Sequence, residues 1–195
     1  MLRSALVSTI EALAAMLEKR DPYTAWHQQR VADLAVAIAR KISLPDDHVE
    51  GIRLGAIIHD IGKIYVPAEI LNRPGTLSDI EFAFLKSHAS VGYEIVRGIA
   101  FPWPIAGMVR WHHERLDGSG YPDGLKGDAI ALEARILAVA DVVEAMVSHR
   151  PYRAGLGIEA VLAEIAHHSG RWYDPDVMDA CTKLFREGGY SIAPG

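Results

Sequence analysis

Residues 105–122, IAGMVRWHHERLDGSGYP, join a helical apolar pattern to two adjacent histidines and a turn that contains two glycines and a proline. Adjacent side chains on an ideal helix point about 100° apart. His112 and His113 can therefore converge on one ion only where the backbone leaves the helix. The glycine-rich turn that follows them indicates that the helix ends there.

Helical periodicity continues on both sides of this stretch, with apolar residues three and four positions apart and Gly or Pro between the segments. No segment alternates with period two, and Ile64 to Pro67 is the only short extended candidate. Ser78 is predicted to cap the helix that follows it. The predicted helices cover residues 2–20, 24–42, 46–60, a short piece near 69, 77–96, 105–113, 132–147, 158–167 and 175–187.

This pattern predicts an all-α fold, a helical bundle in one domain spanning residues 1–195. Residues 1–20 are open to a second interpretation, because they stand at the start of the chain. They are either part of the bundle or a connector helix that forms a dimer contact.

Composition excludes several classes of function. The net charge is −5 and no block of Lys or Arg is present, which argues against a double-stranded nucleic-acid binder or an anionic-membrane binder. No apolar run reaches the length of a membrane span, so membrane insertion is not expected. The single cysteine, Cys181, lies in a helical apolar pattern and is interpreted as a buried hydrophobe. Together with the absence of a disulfide, these features favour the cytoplasm.

Nine histidines are present, and several stand beside acids in apolar surroundings. Asp141 lies inside RILAVADVVEAM, where burial of a carboxylate costs several kcal/mol unless it is paired or binds a cation. Buried acids among histidines are the composition of a metal site. One octahedral ion is predicted on His27, His59, Asp60 and Asp141, and a second on His88, His112 and His113 if Asp60 bridges the two. The remaining histidines are interpreted as surface or hydrogen-bonded residues: His48, His149, His167 and His168.

An ordered set of motifs runs through nearly the whole chain. It comprises RDPYTAWHQQRV, HDIGKIYVPAEIL, SHASVGYEI, HHERLDGSGYPDGL, RILAVADVVEAM, HRPYR and the triplet at 173–175. The set resembles the HD-GYP family of bacterial cyclic di-GMP phosphodiesterases, which belongs to the HD superfamily. The HD pair matches His59-Asp60, and the GYP triplet matches Gly120-Tyr121-Pro122.

The resemblance implies a helical bundle with a glycine-rich GYP lip loop and a two-metal centre bridged by Asp60. It implies that hydroxide made available by the two ions hydrolyses cyclic di-GMP to pGpG, GMP or both. Iron or manganese is the expected metal, with zinc, nickel and cobalt also compatible with the ligands. The implied ligands are His27, His59, Asp60, His88, His112, His113 and Asp141.

The resemblance also implies roles around the phosphate. Lys63 matches a lysine near the scissile phosphate, where it would offset charge or donate to the leaving oxygen. Arg150 and Arg153 match basic residues that contact the nucleotide. The loop containing Gly118, Gly120 and Pro122 matches the lip that shapes the pocket.

Two residues depart from the family pattern. Tyr23 stands where some members carry a glutamate that allows a third metal, so two metals are expected here. Glu144 stands where an aspartate is expected, which puts its contact with Lys63 or a metal-bound water one methylene further out.

Several alternatives stay open at this point. Tyr121 and Tyr152 either stack on a base or belong to the core, and Glu114 either orients a histidine or is a surface acid. The chain is either a cyclic di-GMP phosphodiesterase, a hydrolase of another nucleotide, or a non-catalytic module that senses cyclic di-GMP. Relatives often carry an upstream sensor or receiver domain.

Overall fold

The computed structural model describes residues 2–20, 26–73, 75–148 and 155–192. Within these ranges the chain is helical, and the only β-type pairings are two isolated bridges, Asp117 with Lys126 and Ser169 with Tyr173. The all-α prediction is confirmed. The α-helices are α1 Leu2–Arg20, α2 His27–Lys41, α3 Asp46–Ile58, α4 Ala68–Leu71, α5 Asp79–Val96, α6 Ile105–Trp111, α7 Leu132–Val147, α8 Ile158–Ala166 and α9 Pro175–Arg186.

Helix α2 is central to the bundle. Its apolar residues recur at helical spacing, and the side chains of Val31, Leu34, Ala35 and Ile38 are fully buried. α2 packs most extensively on α3 and α7, while α9 covers part of its remaining surface. The buried apolar side chains of the described residues form one contiguous core.

Predicted helix boundaries beside site residues are wrong by two or three residues. Helix α2 begins at His27, because Trp26 takes a left-handed conformation with φ 70. Helix α3 ends at Ile58 and not at Asp60, where the backbone turns with φ −92 and ψ 9. Both boundaries place His27, His59 and Asp60 at helix ends, where side chains from different helices can meet.

The sequence predicted an extended segment at residues 64–67, and this prediction is wrong for residues 64 and 65. Ile61–Tyr65 forms a 3₁₀ helix, and the chain becomes extended only at Val66. The carbonyl of Asp60 accepts the N–H of Lys63 at 2.8 Å, and the carbonyl of Lys63 accepts that of Val66 at 3.0 Å. These local bonds satisfy the backbone without a neighbouring strand.

Helix α5 begins as predicted at Ser78. The Ser78 hydroxyl accepts the N–H of Glu81 at 3.4 Å, and the Glu81 carboxylate accepts the N–H of Ser78 at 2.8 Å, which is a capping box. The 3₁₀ helix then packs tightly on α5 at Gly62. A Cβ at Gly62 would lie 1.9 Å from the carbonyl oxygen of His88. This close approach brings Asp60 beside His88.

Among the described residues, no helix combines the length and the apolar character that crossing a bilayer requires. Cys181 is buried in α9, as predicted, and burial raises the pKa of its thiol to about 12.

Candidate metal centre and its lip

Helices α2, α3, α5, α6 and α7 bring seven side chains to one place. Their possible ligand atoms fall into three overlapping groups, each with all its atoms within 4.8 Å of one another. The first group lies at the junction of α2, α3 and α7, the second lies between α5 and the end of α6, and the third joins the other two. The groups are His27, His59 and Asp141; His88, His112 and His113; and His59, Asp60 and His112.

The carboxylate of Asp60 lies between the first two groups. Its Oδ1 is 3.5 Å from Nε2 of His88, and its Oδ2 is 3.5 Å from Nε2 of His59 and 4.0 Å from Nε2 of His27. The two oxygens therefore face different imidazole groups. A carboxylate in this position can bridge two cations.

Three imidazoles are oriented by their own helices. Nδ1 of His59, His88 and His112 lies 2.6 to 2.8 Å from the backbone carbonyl three residues earlier in the chain. A carbonyl only accepts, so each Nδ1 carries the hydrogen and each Nε2 is left with a lone pair. Those Nε2 atoms point to the centre, and this is how metal-binding histidines are commonly held.

The adjacent pair His112 and His113 lies past the end of its helix, which stops two residues before the predicted end at residue 113. Helix α6 ends at Trp111, and His112 is its C-cap. The two imidazole rings have centroids 4.1 Å apart. The departure of the backbone from the helix thus allows both rings to reach the same group.

The orientation of His27 depends on a glutamate from another helix. Its Nδ1 donates to Glu144, and its Nε2 lies 3.2 Å from Oδ1 of Asp141. Glu144 is buried and also accepts from Arg30 Nε and the Ser148 hydroxyl, both at 2.5 Å. Although burial opposes it, the hydrogen bond from His27 lowers the pKa of Glu144 to about 2. The sequence did not predict this role for Glu144.

The electrostatics of the site favour neutral imidazoles at His88, His112 and His113, and an ionised carboxylate at Asp60. Burial, and then the charges of His59 and His88, lower the pKa of His112 to about 3. Burial likewise lowers the pKa of His88 and of His113. Burial acts to raise the pKa of Asp60, yet Lys63 and neighbouring histidines hold it well below its usual range.

His27 and Asp141 form a close pair within the site, with Nε2 of His27 3.2 Å from Oδ1 of Asp141. Burial lowers the pKa of His27, but hydrogen bonds to Asp141 and Glu144 outweigh it and raise that pKa to about 9. The same contact with His27 keeps the pKa of Asp141 well below its usual range, against the effect of burial. A ligand histidine must be neutral, so metal binding here releases a proton.

Five imidazoles and two carboxylates with converging lone pairs fit divalent transition metals. Lys63 lies beside this donor set, with Nζ 2.6 Å from Oδ2 of Asp60. Its ammonium therefore stands next to the carboxylate that faces both groups. In that position the Lys63 ammonium can contact an anion bound at the centre.

A family model described as HD domain matches residues 11–177. The chain belongs to the HD domain family. The HD domain family is metal-dependent, and this member carries the cluster of histidines and aspartates that a metal site needs. The sequence prediction of HD-GYP membership is confirmed.

Curated relatives support the same assignment. The chain is 41% identical over 174 residues to the cyclic di-GMP phosphodiesterase response regulator RpfG of Xanthomonas campestris pv. campestris, covering 88% of this chain and 46% of the relative. It is 40% identical over 184 residues to a cyclic di-GMP phosphodiesterase of Thermotoga maritima, covering 93% and 50%. It is 36% identical over 174 residues to the 3′3′-cGAMP-specific phosphodiesterase 3 of Vibrio cholerae, covering 89% and 38%. The chain spans about half the length of these relatives or less.

Solved structures establish the fold. The cyclic GMP-AMP-specific phosphodiesterase V-cGAP3 of V. cholerae superposes with a TM-score of 0.69 at 19% identity, covering 93% of this chain and 49% of that one. The HD domain of the L. monocytogenes phosphodiesterase PgpH superposes with a TM-score of 0.63 at 20% identity, covering 91% and 97%.

The lip of this HD domain is held by Glu114. This buried carboxylate accepts the backbone N–H groups of Asp123, Gly124 and Leu125 at 2.7 to 3.1 Å. Both sequence interpretations of Glu114 are therefore wrong: it is buried, and its hydrogen bonds anchor the loop that follows the GYP triplet. The backbone amides that it binds carry no side-chain signature in the sequence.

The GYP triplet lies directly against the second imidazole group. The ring of Tyr121 stacks on that of His113, with centroids 4.8 Å apart and planes at 26°. The Tyr121-Pro122 peptide bond is cis. Gly120 packs so closely on the backbone that a Cβ would lie 2.4 Å from Cα of Glu114, and Gly118 takes a positive φ of 82 that favours glycine. The glycines thus allow the lip to fold back on the end of α6, where His112 and His113 lie.

Several predicted residues lie outside the described part of the chain: Tyr23, His149, Arg150, Tyr152 and Arg153. Their predicted roles stay predictions. Three other histidines were interpreted as surface or hydrogen-bonded residues and are described here. His48 and His167 are exposed, and the ring of His168 stacks on that of Trp172 with centroids 3.6 Å apart.

Proposed function

We propose that this HD domain is a metal-dependent phosphodiesterase that hydrolyses cyclic di-GMP. The observation that carries the proposal is the position of Asp60, whose two oxygens face two separate imidazole groups. Relatives named cyclic di-GMP phosphodiesterases, at 40 and 41% identity over most of this chain, support the choice of substrate.

The proposed metal ligands form two sets that share Asp60. His27, His59 and Asp141 would hold one ion, and His88, His112 and His113 the other. Two divalent ions, with iron or manganese preferred for this mixed nitrogen and oxygen set, supply charge neutralisation of the phosphodiester and an acidified water. Glu144 keeps His27 in the tautomer that ligation requires.

The other residues act on the nucleotide. Lys63 stands beside Asp60, where its ammonium can offset charge on the phosphoryl oxygens or donate a proton to the leaving 3′-oxygen. Arg150 and Arg153 are proposed to bind phosphate or the guanine edge. The loop through Gly118, Gly120, Tyr121 and Pro122 is proposed to shape the mouth of the pocket.

A second candidate function is hydrolysis of a different cyclic dinucleotide. The relative named as specific for 3′3′-cGAMP, at 36% identity, supports it. A module that binds cyclic di-GMP without turnover is a third candidate.

We further propose a cytoplasmic location, a single domain over residues 1–195 and a homodimer formed through α1. Helix α1 buries Ile10, Ala14 and Leu17 against the bundle but leaves Leu13 and Met16 exposed, so a second copy has an apolar surface to cover. An upstream sensor or receiver domain in the full-length protein is also proposed. Light scattering of the wild type and of a Met16→Glu variant tests the dimer.

The function is tested by incubating the purified protein, loaded with Mn(II) or anaerobically with Fe(II), with cyclic di-GMP, 3′3′-cGAMP and cyclic di-AMP. Products are separated by chromatography. Cleavage of cyclic di-GMP to pGpG or GMP with the highest kcat/KM is the expected result. Preference for another dinucleotide selects the second candidate, and tight binding without product selects the third.

A further inference from the structure

Lys86 of α5 holds its ammonium over two aromatic rings. Its Nζ lies 4.6 Å from the ring centroid of Phe82 and 5.2 Å from that of Tyr121. Both distances are within the range of cation–π contacts. The side chain is half-buried, and within the described residues no carboxylate lies at ion-pairing distance from it. Lys86 is thus a positive charge held in place by rings and not by an acid.

The same rings connect Lys86 to the candidate metal centre. Tyr121 stacks on His113, so a single aromatic ring separates the ammonium of Lys86 from an imidazole of the second group. The lysine therefore stands beside Tyr121 of the lip.

Lys63 and Lys86 differ in what holds them. Lys63 is paired with the buried carboxylate of Asp60, whereas the attractive contacts of Lys86 within the described residues are with the aromatic faces of Phe82 and Tyr121. A cyclic dinucleotide carries two phosphodiester groups. When one of them occupies the centre, a cation beside the lip can make a charge-assisted contact with the other.

We propose that Lys86 binds the phosphate that is not being hydrolysed, and so selects substrates with a second phosphate. This inference rests on the proposed function, since it assumes a nucleotide phosphodiester at the metal centre. The lysine acts on affinity for the substrate and leaves the chemical step to Lys63 and the centre.

If Lys86 had a purely structural role, replacing it would have a different effect on the substrates. If Lys86 only held Tyr121 in place, its loss would disturb His113 and impair every substrate equally. The two roles are separated by comparing cyclic di-GMP with bis(p-nitrophenyl) phosphate, which is a phosphodiester without a second phosphate.

The test uses Lys86→Met, which keeps the apolar stem, and Lys86→Arg, which keeps the charge. Lys183→Met on α9 is the matched control, because Lys183 is an exposed lysine paired with Asp179. KM and kcat are measured on both substrates. The dissociation constant of a phosphorothioate analogue of cyclic di-GMP, which resists hydrolysis, is measured by calorimetry on metal-loaded protein.

We expect Lys86→Met to raise both KM for cyclic di-GMP and the dissociation constant of the analogue about tenfold, as for loss of one charge-assisted contact. Its kcat, and its kcat/KM on bis(p-nitrophenyl) phosphate, should stay within about twofold of the wild type. Lys86→Arg should recover most of the affinity, and Lys183→Met should change nothing.

Equal losses on both substrates, or no change on cyclic di-GMP, would overturn the role of Lys86 while leaving the proposed phosphodiesterase intact. Absence of cyclic di-GMP turnover by the wild type would overturn the proposed function. In that case, binding of the analogue to metal-loaded protein that still depends on Lys86 would support the contact with Lys86. Binding that is absent or independent of Lys86 would overturn both.

Discussion

The carboxylate of Glu144 accepts the Nδ1–H of His27, and this hydrogen bond fixes which nitrogen of the imidazole faces Asp141. Arg30 and Ser148 hold Glu144 from the other side. A glutamate that departs from the expected aspartate has thus become the residue that orients a candidate metal ligand.

Replacing Glu144 by Ala is expected to weaken metal binding by about ten- to a hundredfold, because His27 loses the acceptor that holds its tautomer. Competition with a chromophoric chelator measures the metal dissociation constant. Glu159→Ala, at an exposed glutamate of α8, is the control and should bind metal like the wild type. Unchanged affinity in Glu144→Ala would remove this role for Glu144.

Replacing Glu114 by Ala should lower the free energy of unfolding by about 2 kcal/mol or more, since three backbone N–H groups lose a charged acceptor. Urea denaturation monitored by tryptophan fluorescence gives this free energy. Glu69→Ala, at an exposed residue of α4, is the comparison and should be nearly neutral. A Glu114 variant as stable as Glu69→Ala would show that the lip does not depend on this carboxylate.

The close packing at Gly62 predicts that a methyl group added there cannot be accommodated. A Cβ there would lie 1.9 Å from the carbonyl oxygen of His88, so Gly62→Ala must push the 3₁₀ helix away from α5 and move Asp60 from His88. We expect a loss of about 1–3 kcal/mol in stability, as for an overpacked core, together with weaker metal binding. Gly98→Ala meets no atom within 4 Å and should be tolerated. Thermal unfolding with and without metal measures both effects, and equal behaviour of the two variants would contradict the close packing.

Cys181 should be chemically inert in the folded protein. Burial raises the pKa of its thiol to about 12, above the usual value, so at pH 8 the reactive thiolate is rarer than in an ordinary cysteine. Reaction with a disulfide reagent should be on the order of a hundredfold slower in native protein than in denatured protein. Fast native labelling would show that the α9 packing opens readily.

Features that repeat along one helix were predictable from the sequence. The periodic residues Val31, Leu34 and Ile38 are buried as expected, because helical spacing alone determines which residues share a face. The convergence of His112 and His113 was predictable for a similar local reason, since adjacent residues meet only where a helix ends.

Features that depend on distant partners were not predictable. His27 and Glu144 are 117 positions apart, and nothing near either residue indicates their contact. Glu114 binds backbone amides, which every residue except proline possesses, so no sequence pattern marks them. The 3₁₀ helix at residues 61–65 replaced the expected extended piece because contact with α5 outweighs β propensity there.

The most direct test of the two-metal phosphodiesterase is the Asp60→Ala variant, compared with the wild type and with Asp128→Ala, which removes a fully exposed aspartate. Metal content per chain and cyclic di-GMP turnover are measured on the same preparations. We predict two ions and product formation in the wild type and in Asp128→Ala, but fewer ions and no detectable product in Asp60→Ala. Full turnover by Asp60→Ala would contradict the proposal that its carboxylate bridges two catalytic metals.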